Sequence, residues 1–252
     1  MAGLSKVQSG GTVGLSKLTK ATTAPDSPEV GDQWFDDNTN QKFMKVWNGT
    51  IWDKMSGVTK FTEATGGTIT TVGNYKVHTF NSSGSFNITT LGDNAVVDYL
   101  VIAGGGGGGG NSQNGNQNGS GGGAGGYRNS YNSEASGGGG SSETALGVTA
   151  QNYTITVGGG GAAGYRATTA PGNGGISKIT AANSTILVTT VGGGGGSHQG
   201  STTGSGASGG SGGGGSTGNF TGGTGTTNQG YAGGTCAGYG RSGGGGGGAG
   251  HA

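Results

Sequence analysis

Polar and apolar residues alternate with a period of two along much of the first hundred residues, which is the signature of half-buried β-strands. Thr68–Val72, Tyr75–Phe80, Ser85–Thr89 and Val96–Ile102 read as four strands, punctuated by Gly73-Asn74, Ser83-Gly84 and Gly92-Asp93-Asn94. In the second of these, Tyr75, Val77 and Thr79 fall on one face and Lys76, His78 and Phe80 on the other. Upstream, Gln33-Trp34-Phe35, Lys42–Trp47 and Thr50–Trp52 read as three further strands. Between them lie the turn-rich 36–40 stretch and an Asn48-Gly49 hairpin signal. Downstream, Tyr153–Val157 and the stretch Ile176–Val191 continue the β pattern. No glycine-free window places apolar residues at i, i+3, i+4 and i+7, so an all-β fold is expected.

Three of these strands run directly into glycine: Val96–Ala103 into Gly104–Gly110, Tyr153–Val157 into Gly158–Gly161, and Ile186–Val191 into Gly192–Gly196. A flexible linker has no reason to begin repeatedly at a strand end. Two readings of the runs compete, disorder and packed extended helices of the polyproline II type. Glycine helices without side chains can approach closely and hydrogen-bond to each other, whereas no strict G-X-Y register exists for a collagen-like triple helix. The expectation is a small N-terminal β-meander, then an antiparallel β-sandwich-like unit leading into packed polyglycine helices and loops.

Composition divides the chain into 1–56, 57–103 and 104–252. The first part opens with an extended Ser/Thr/Lys/Gly-rich arm up to Thr23 and holds all three tryptophans. The last part contains 57 glycines in 149 residues. Val, Ile, Leu and Phe number only 35 in 252 residues, too few for a conventional core of this size. A chain so poor in apolar residues gains by burying surface between copies, and a homotrimer is expected.

Charge narrows the function further. The formal net charge is +1, and from Thr144 onward there is no Asp or Glu. That removes paired carboxylates and hard-cation sites from this stretch, and the scattered basic residues make no footprint for nucleic acid. His78, His198, His251 and the lone Cys236 show no metal-ligand spacing, no disulfide partner and no nucleophile-base pairing. Neither a phosphate loop nor an apolar membrane span is present in the sequence, and the N-terminus lacks the apolar core of a signal peptide. The reading is a non-enzymatic protein without a cofactor, bound metal or membrane insertion, made in a cytoplasm without a signal peptide.

Two strings carry a family resemblance. Gly73–Thr89 (GNYKVHTFNSSGSFNIT) followed by Val97–Gly108 (VDYLVIAGGGGG) resembles the glycine-rich domain of bacteriophage tail fibres and adhesins. The later segments ending in Tyr127-Arg128 and Tyr165-Arg166 look like the same family. Separately, Pro28–Asp36 with Val46–Trp52 is similar to a short β-hairpin module found near the N-termini of phage fibres. The resemblance implies a virion tail-fibre protein that recognises a host surface receptor, a glycan or a protein, with its glycine-rich end. Attachment to a tail or baseplate protein would run through residues 1–56, with Trp34, Phe35, Trp47 and Trp52 as packing residues of the anchor. This chain carries no long shaft, so it would be a short fibre.

Aromatic and cationic side chains standing in the glycine-rich part are the candidate receptor contacts: Tyr127, Arg128, Tyr131, Tyr165, Arg166, Phe220, Tyr231, Tyr239 and Arg241. The same placement fits caps, with Tyr covering a sheet edge and Arg capping backbone carbonyls. Two other classes compete. An ice-binding-type bundle would use a flat threonine array such as Thr221, Thr224, Thr226 and Thr227, yet no fixed threonine period is found. A glycan depolymerase would need an acidic pair, for which only Glu134 and Glu143 remain beyond residue 104.

Overall fold

The computed structural model describes residues 17–38, 41–55, 61–110, 119–165, 169–198, 204–237 and 243–250. The fold is all-β, and among the described residues the only helical elements are two three-residue 3-10 turns. The chain divides into two compact units, Met1–Lys60 and Phe61–Ala252.

The first unit is a four-stranded sheet in the order β1 (Leu18–Ala21), β2 (Gln33–Asn38), β3 (Gln41–Trp47), β4 (Trp52–Lys54). Strand β1 pairs in parallel with β2, so part of the expected extended arm is a strand. Its hydrogen bonds come from a partner 15 residues away, which local pattern does not reveal. Strand β2 runs on to Asn38, beyond the expected turn at Asp36. The third expected strand begins at Trp52 rather than Thr50, because Asn48 holds the turn. Its Oδ1 accepts from Thr50 N and Ile51 N at 2.8 and 2.9 Å, while Gly49 adopts φ +102°.

In the second unit, β8 (Gly84–Thr90) pairs with β13 (Asn152–Thr156) inside a five-stranded sheet of order β15-β14-β13-β8-β5. Here β5 is Glu63–Thr65, β14 Ser177–Thr180 and β15 Ile186–Thr190. The boundary drawn at residue 103 in sequence therefore falls inside this unit. Ile88, Val148, Tyr153 and Ala181 form the core, flanked by Phe86, Leu91, Val97, Leu146, Ile179 and Leu187. Buried Tyr153 remains hydrogen-bonded, its hydroxyl accepting from Thr149 N at 2.9 Å.

Strands β6 (Thr68–Val72) and β7 (Tyr75–Thr79) make a separate hairpin. The expected strand 96–102 is interrupted. Val96–Val97 (β9) pairs with Leu146–Gly147 (β12), and Leu100–Ile102 (β10) pairs with Tyr127–Asn129 (β11). The break comes from Ser130, whose hydroxyl accepts from Tyr99 N at 2.9 Å and donates to Asp98 Oδ1 at 3.1 Å.

The glycine runs are built structure. From Ala103, every third amide donates to one antiparallel neighbour: Ala103 to Gly126 O, Gly106 to Gly123 O and Gly109 to Ser120 O, at 2.7–3.0 Å. Gly104 and Gly107 donate to a second, at Gly175 O and Gly172 O. Carbonyls of the same segment accept from Gly161 and Gly164 on one side and from Gly193 and Gly196 on another. A repeat of three with neighbours on several sides is the hydrogen-bonding of packed extended helices, not of a pleated sheet. Glycine is required by close approach. A Cβ on Gly106 would lie 2.1 Å from Gly194 O, but one on Gly105 would meet nothing nearer than 3.7 Å. Buried Ser120 and Ser211 replace glycine where a hydroxyl reaches a carbonyl, at Gly214 O (2.6 Å) and Gly248 O (2.9 Å).

Candidate functional site

The direction of each glycine segment decides what the bundle can present. Segment 103–110 is antiparallel to 119–126 and parallel to 158–164 and 191–198. Segment 210–216 runs parallel to 191–198 and antiparallel to 204–209 and 220–226. Segment 230–236 is antiparallel to 220–226 and to 243–249. Segment 171–176 is antiparallel to 103–110, so among the described residues the ten segments alternate strictly in direction along the chain. Every strand-bearing junction (103, 126, 158, 176, 191) lies at one end. The five connections 110 to 119, 164 to 171, 198 to 204, 216 to 220 and 236 to 243 start and finish at the other.

The candidate contact residues divide between the two ends. Tyr165 stands at the connection end, 62 % exposed, with its backbone bridged to Thr169 in both directions at 3.1 Å. Phe220 opens the 220–226 segment at the same end, but its ring fills the space over Gly204. A Cβ there would come 2.2 Å from the ring. Arg166, Tyr239 and Arg241 lie outside the described residues, within the connections whose described flanks are at this end. Tyr127, Arg128, Tyr131 and Tyr231 are brought instead to the strand end.

At the strand end Arg128 caps and pairs at once. Its Nε donates to Glu143 Oε1 at 2.8 Å, its Nη2 to Glu143 Oε2 at 2.5 Å, and its Nη1 to Thr189 O at 3.1 Å. The Tyr99 hydroxyl donates to Glu143 Oε2 at 2.6 Å, and Ser136 Oγ donates to Oε1 at 3.2 Å. The guanidinium holds the Glu143 carboxyl below its usual range, against the opposing effect of burial. Burial, followed by the bond to Glu143, pushes the Tyr99 phenol up to about 12. In the sequence Glu143 stands only as half of an acidic pair with Glu134. The scarcity of charge beyond residue 104 was the one signal pointing to a partnership with Arg128. Tyr131 packs edge-on against Tyr75, centroids 5.9 Å apart, and Tyr231 sits beside Gly139.

In the first unit the Trp34 and Trp52 rings meet edge-on at 5.6 Å, and Trp47 and Trp52 at the same distance. Trp34 Nε1 donates to Ala21 O at 3.0 Å, which ties β1 to the cluster. Lys45 Nζ lies 4.3 Å from the Trp34 ring centroid and 2.8 Å from Asp36 Oδ2. That lysine holds the Asp36 carboxyl below its usual range. Phe35 is on the opposite face of β2, near Lys20 Nζ at 6.0 Å.

No group of His, Cys, Asp and Glu able to hold a metal ion exists among the described residues. Cys236 is buried. His78 Nδ1 donates to Gly66 O at 2.8 Å and its ring meets Phe86 edge-on, a packing role. Among the described residues no helix is long and apolar enough to cross a membrane.

These features define a class, an all-β protein whose strands cap one end of a packed glycine-helix bundle. Within it, the chain belongs to the glycine-rich domain family, which matches residues 80–252. No curated protein and no solved structure matches it.

Proposed function

We propose that the chain is a phage tail-fibre adhesin that attaches to a tail or baseplate protein through residues 1–56 and recognises a host surface receptor with its glycine-rich part. The observation that carries this reading is that the described flanks of five connections lie at one end of the bundle, together with the exposed Tyr165. Arg166, Tyr239 and Arg241 follow those flanks in sequence. Aromatic and cationic side chains on a hydrogen-bonded backbone scaffold suit a glycan surface, which binds through ring faces and planar polar groups. Resemblance of 73–108 and of 28–52 to phage fibres supports the same reading. Glu143 is held ionised by Arg128, the opposite of what a general acid in a depolymerase needs. Exposed Val72, Tyr75, Leu100 and Ile102 support association between copies, and the oligomer proposed is a trimer.

The test is competition. Purified full chain is expected to block adsorption of the parent virion to its host, and Tyr165→Ala or Tyr239→Ala to weaken that block without changing the melting temperature. A chain that folds yet neither binds host cells nor competes overturns the reading.

A further inference from the structure

A polar recess lies at the strand end of the bundle, opposite the proposed receptor face. It is a cleft of about 270 Å³ lined by Arg128, Ser141, Glu143, Thr227, Asn228 and Gln229. Three elements build it: β11 supplies Arg128, the turn after Gly137–Gly139 supplies Ser141 and Glu143, and the 226–230 turn supplies the rest. The last turn is closed by Thr226 O, which accepts from Gln229 N and Gly230 N at 3.0 and 3.2 Å, and it carries Asn228 at φ +58°. Gln229 is locked in place. Its Oε1 accepts from Val191 N at 2.8 Å and its carbonyl from Tyr127 N at 3.0 Å. The walls are therefore preformed, which lowers the ordering cost of binding.

The chemistry of the walls selects the ligand. Both Glu143 oxygens are already occupied by Arg128, Tyr99 and Ser136. Three of the five guanidinium N–H groups are engaged with Glu143 and Thr189, and the guanidinium also bonds the Tyr99 hydroxyl. The Asn228 amide, the Gln229 Nε2 and the Thr227 and Ser141 hydroxyls carry no bond within the described residues. The lining thus offers donors, one amide acceptor and two hydroxyls, with its paired charges cancelling. No aliphatic or aromatic side chain lines it, so an apolar ligand gains nothing there. An anion meets the Glu143 carboxylate and no second cation. What matches paired donors and acceptors at zero net charge is a neutral ring of adjacent hydroxyls. The volume is just under the range of ordinary small-molecule sites, room for a single residue rather than a chain.

We propose that this cleft binds one neutral sugar residue, independently of the receptor face at the far end. The test is a titration of the full chain, followed by backbone amide NMR. The probes are methyl α-glucoside, methyl α-galactoside, methyl α-mannoside and N-acetylglucosamine, with glucuronate and inorganic phosphate alongside. At least one neutral sugar is expected to give saturable shifts confined to residues 128, 141–143 and 227–229. Thr227→Ala and Asn228→Ala, both exposed turn positions, should each weaken that binding about three- to tenfold. Tyr165→Ala should leave it unchanged, which separates this site from the receptor reading. Absence of shifts with all four neutral sugars, shifts indifferent to both cleft variants, or preference for glucuronate or phosphate would overturn the assignment.

Discussion

Two adjacent glycines in one homopolymer run should respond oppositely to the same substitution. In Gly106→Ala the new Cβ would stand 2.1 Å from Gly194 O and 2.5 Å from its carbon. Reaching ordinary contact requires segments 103–110 and 191–198 to part by about 1.3 Å. Their hydrogen bonds, Gly193 N to Gly104 O and Gly196 N to Gly107 O, are 2.8 and 2.9 Å long. Parting by that much takes both beyond the hydrogen-bonding limit. Each lost bond leaves buried amide groups unpaired at about 1–3 kcal/mol, so the variant should lose about 2–6 kcal/mol. For a unit of this size that is a fall in Tm of about 5–20 °C. In Gly105→Ala the nearest atom is 3.7 Å away, so nothing need move. Alanine narrows the unfolded ensemble, and a gain of about 0.4–1 kcal/mol is expected. Differential scanning calorimetry of the two variants beside the parent chain reads the difference. Equal Tm values for both would refute the packing argument, because a flexible run has no means of telling position 105 from 106.

Other outcomes follow from the same contacts. Arg128→Ala strips Glu143 of its counter-ion and Thr189 O of a donor, and should cost about 1–3 kcal/mol by chemical denaturation, discounted for partial exposure of the pair. Acid should destabilise the chain. Glu143 and Asp36 have depressed folded pKa values, so their contribution is complete above the ordinary values of 4.5 and 3.8 and is lost as pH falls through the folded ones. Tyr99 is raised, so its contribution is complete below 10.0 and is lost as pH rises toward about 12; melts across pH check both limbs. Trp34→Ala removes the buried centre of the first unit and should cost about 3–5 kcal/mol, read from tryptophan fluorescence during unfolding. Light scattering of the full chain should return three times the 23.9 kDa chain mass, and a stable folded monomer would defeat the trimer.

Strands were the legible part of the sequence, because a period of two survives wherever one face is covered. Phe86 and Tyr153, opposite each other across β8 and β13, are such positions. Pairing partners were less legible. Leu18–Ala21 gives no local sign that it lies parallel to β2, and Val96–Ile102 looks continuous until Ser130 takes up the backbone at Tyr99. In the glycine runs pattern fails altogether, since positions without side chains carry no periodicity. Gly105 and Gly106 are identical in sequence and differ only in which carbonyl faces them. For the same reason the division of the Tyr and Arg candidates between the two ends could not be read beforehand. It follows from the direction of each segment, which is set by pairing partners far along the chain. Arg128 could equally have been a contact or a cap, and its bonds to Thr189 O and Glu143 are visible only in three dimensions.

Amide hydrogen exchange of the full chain, resolved by residue, tests most directly that the glycine runs are a packed bundle with a fixed register. Gly106, Gly123, Gly193 and Gly213, each donating to a neighbouring segment at 2.8–2.9 Å, should exchange orders of magnitude more slowly than an unstructured chain. Gly105 and Gly108, which donate to no carbonyl among the described residues, should exchange faster than Gly106 and Gly107 beside them. Uniform exchange at the unstructured rate through 104–110 and 192–196 would contradict the account.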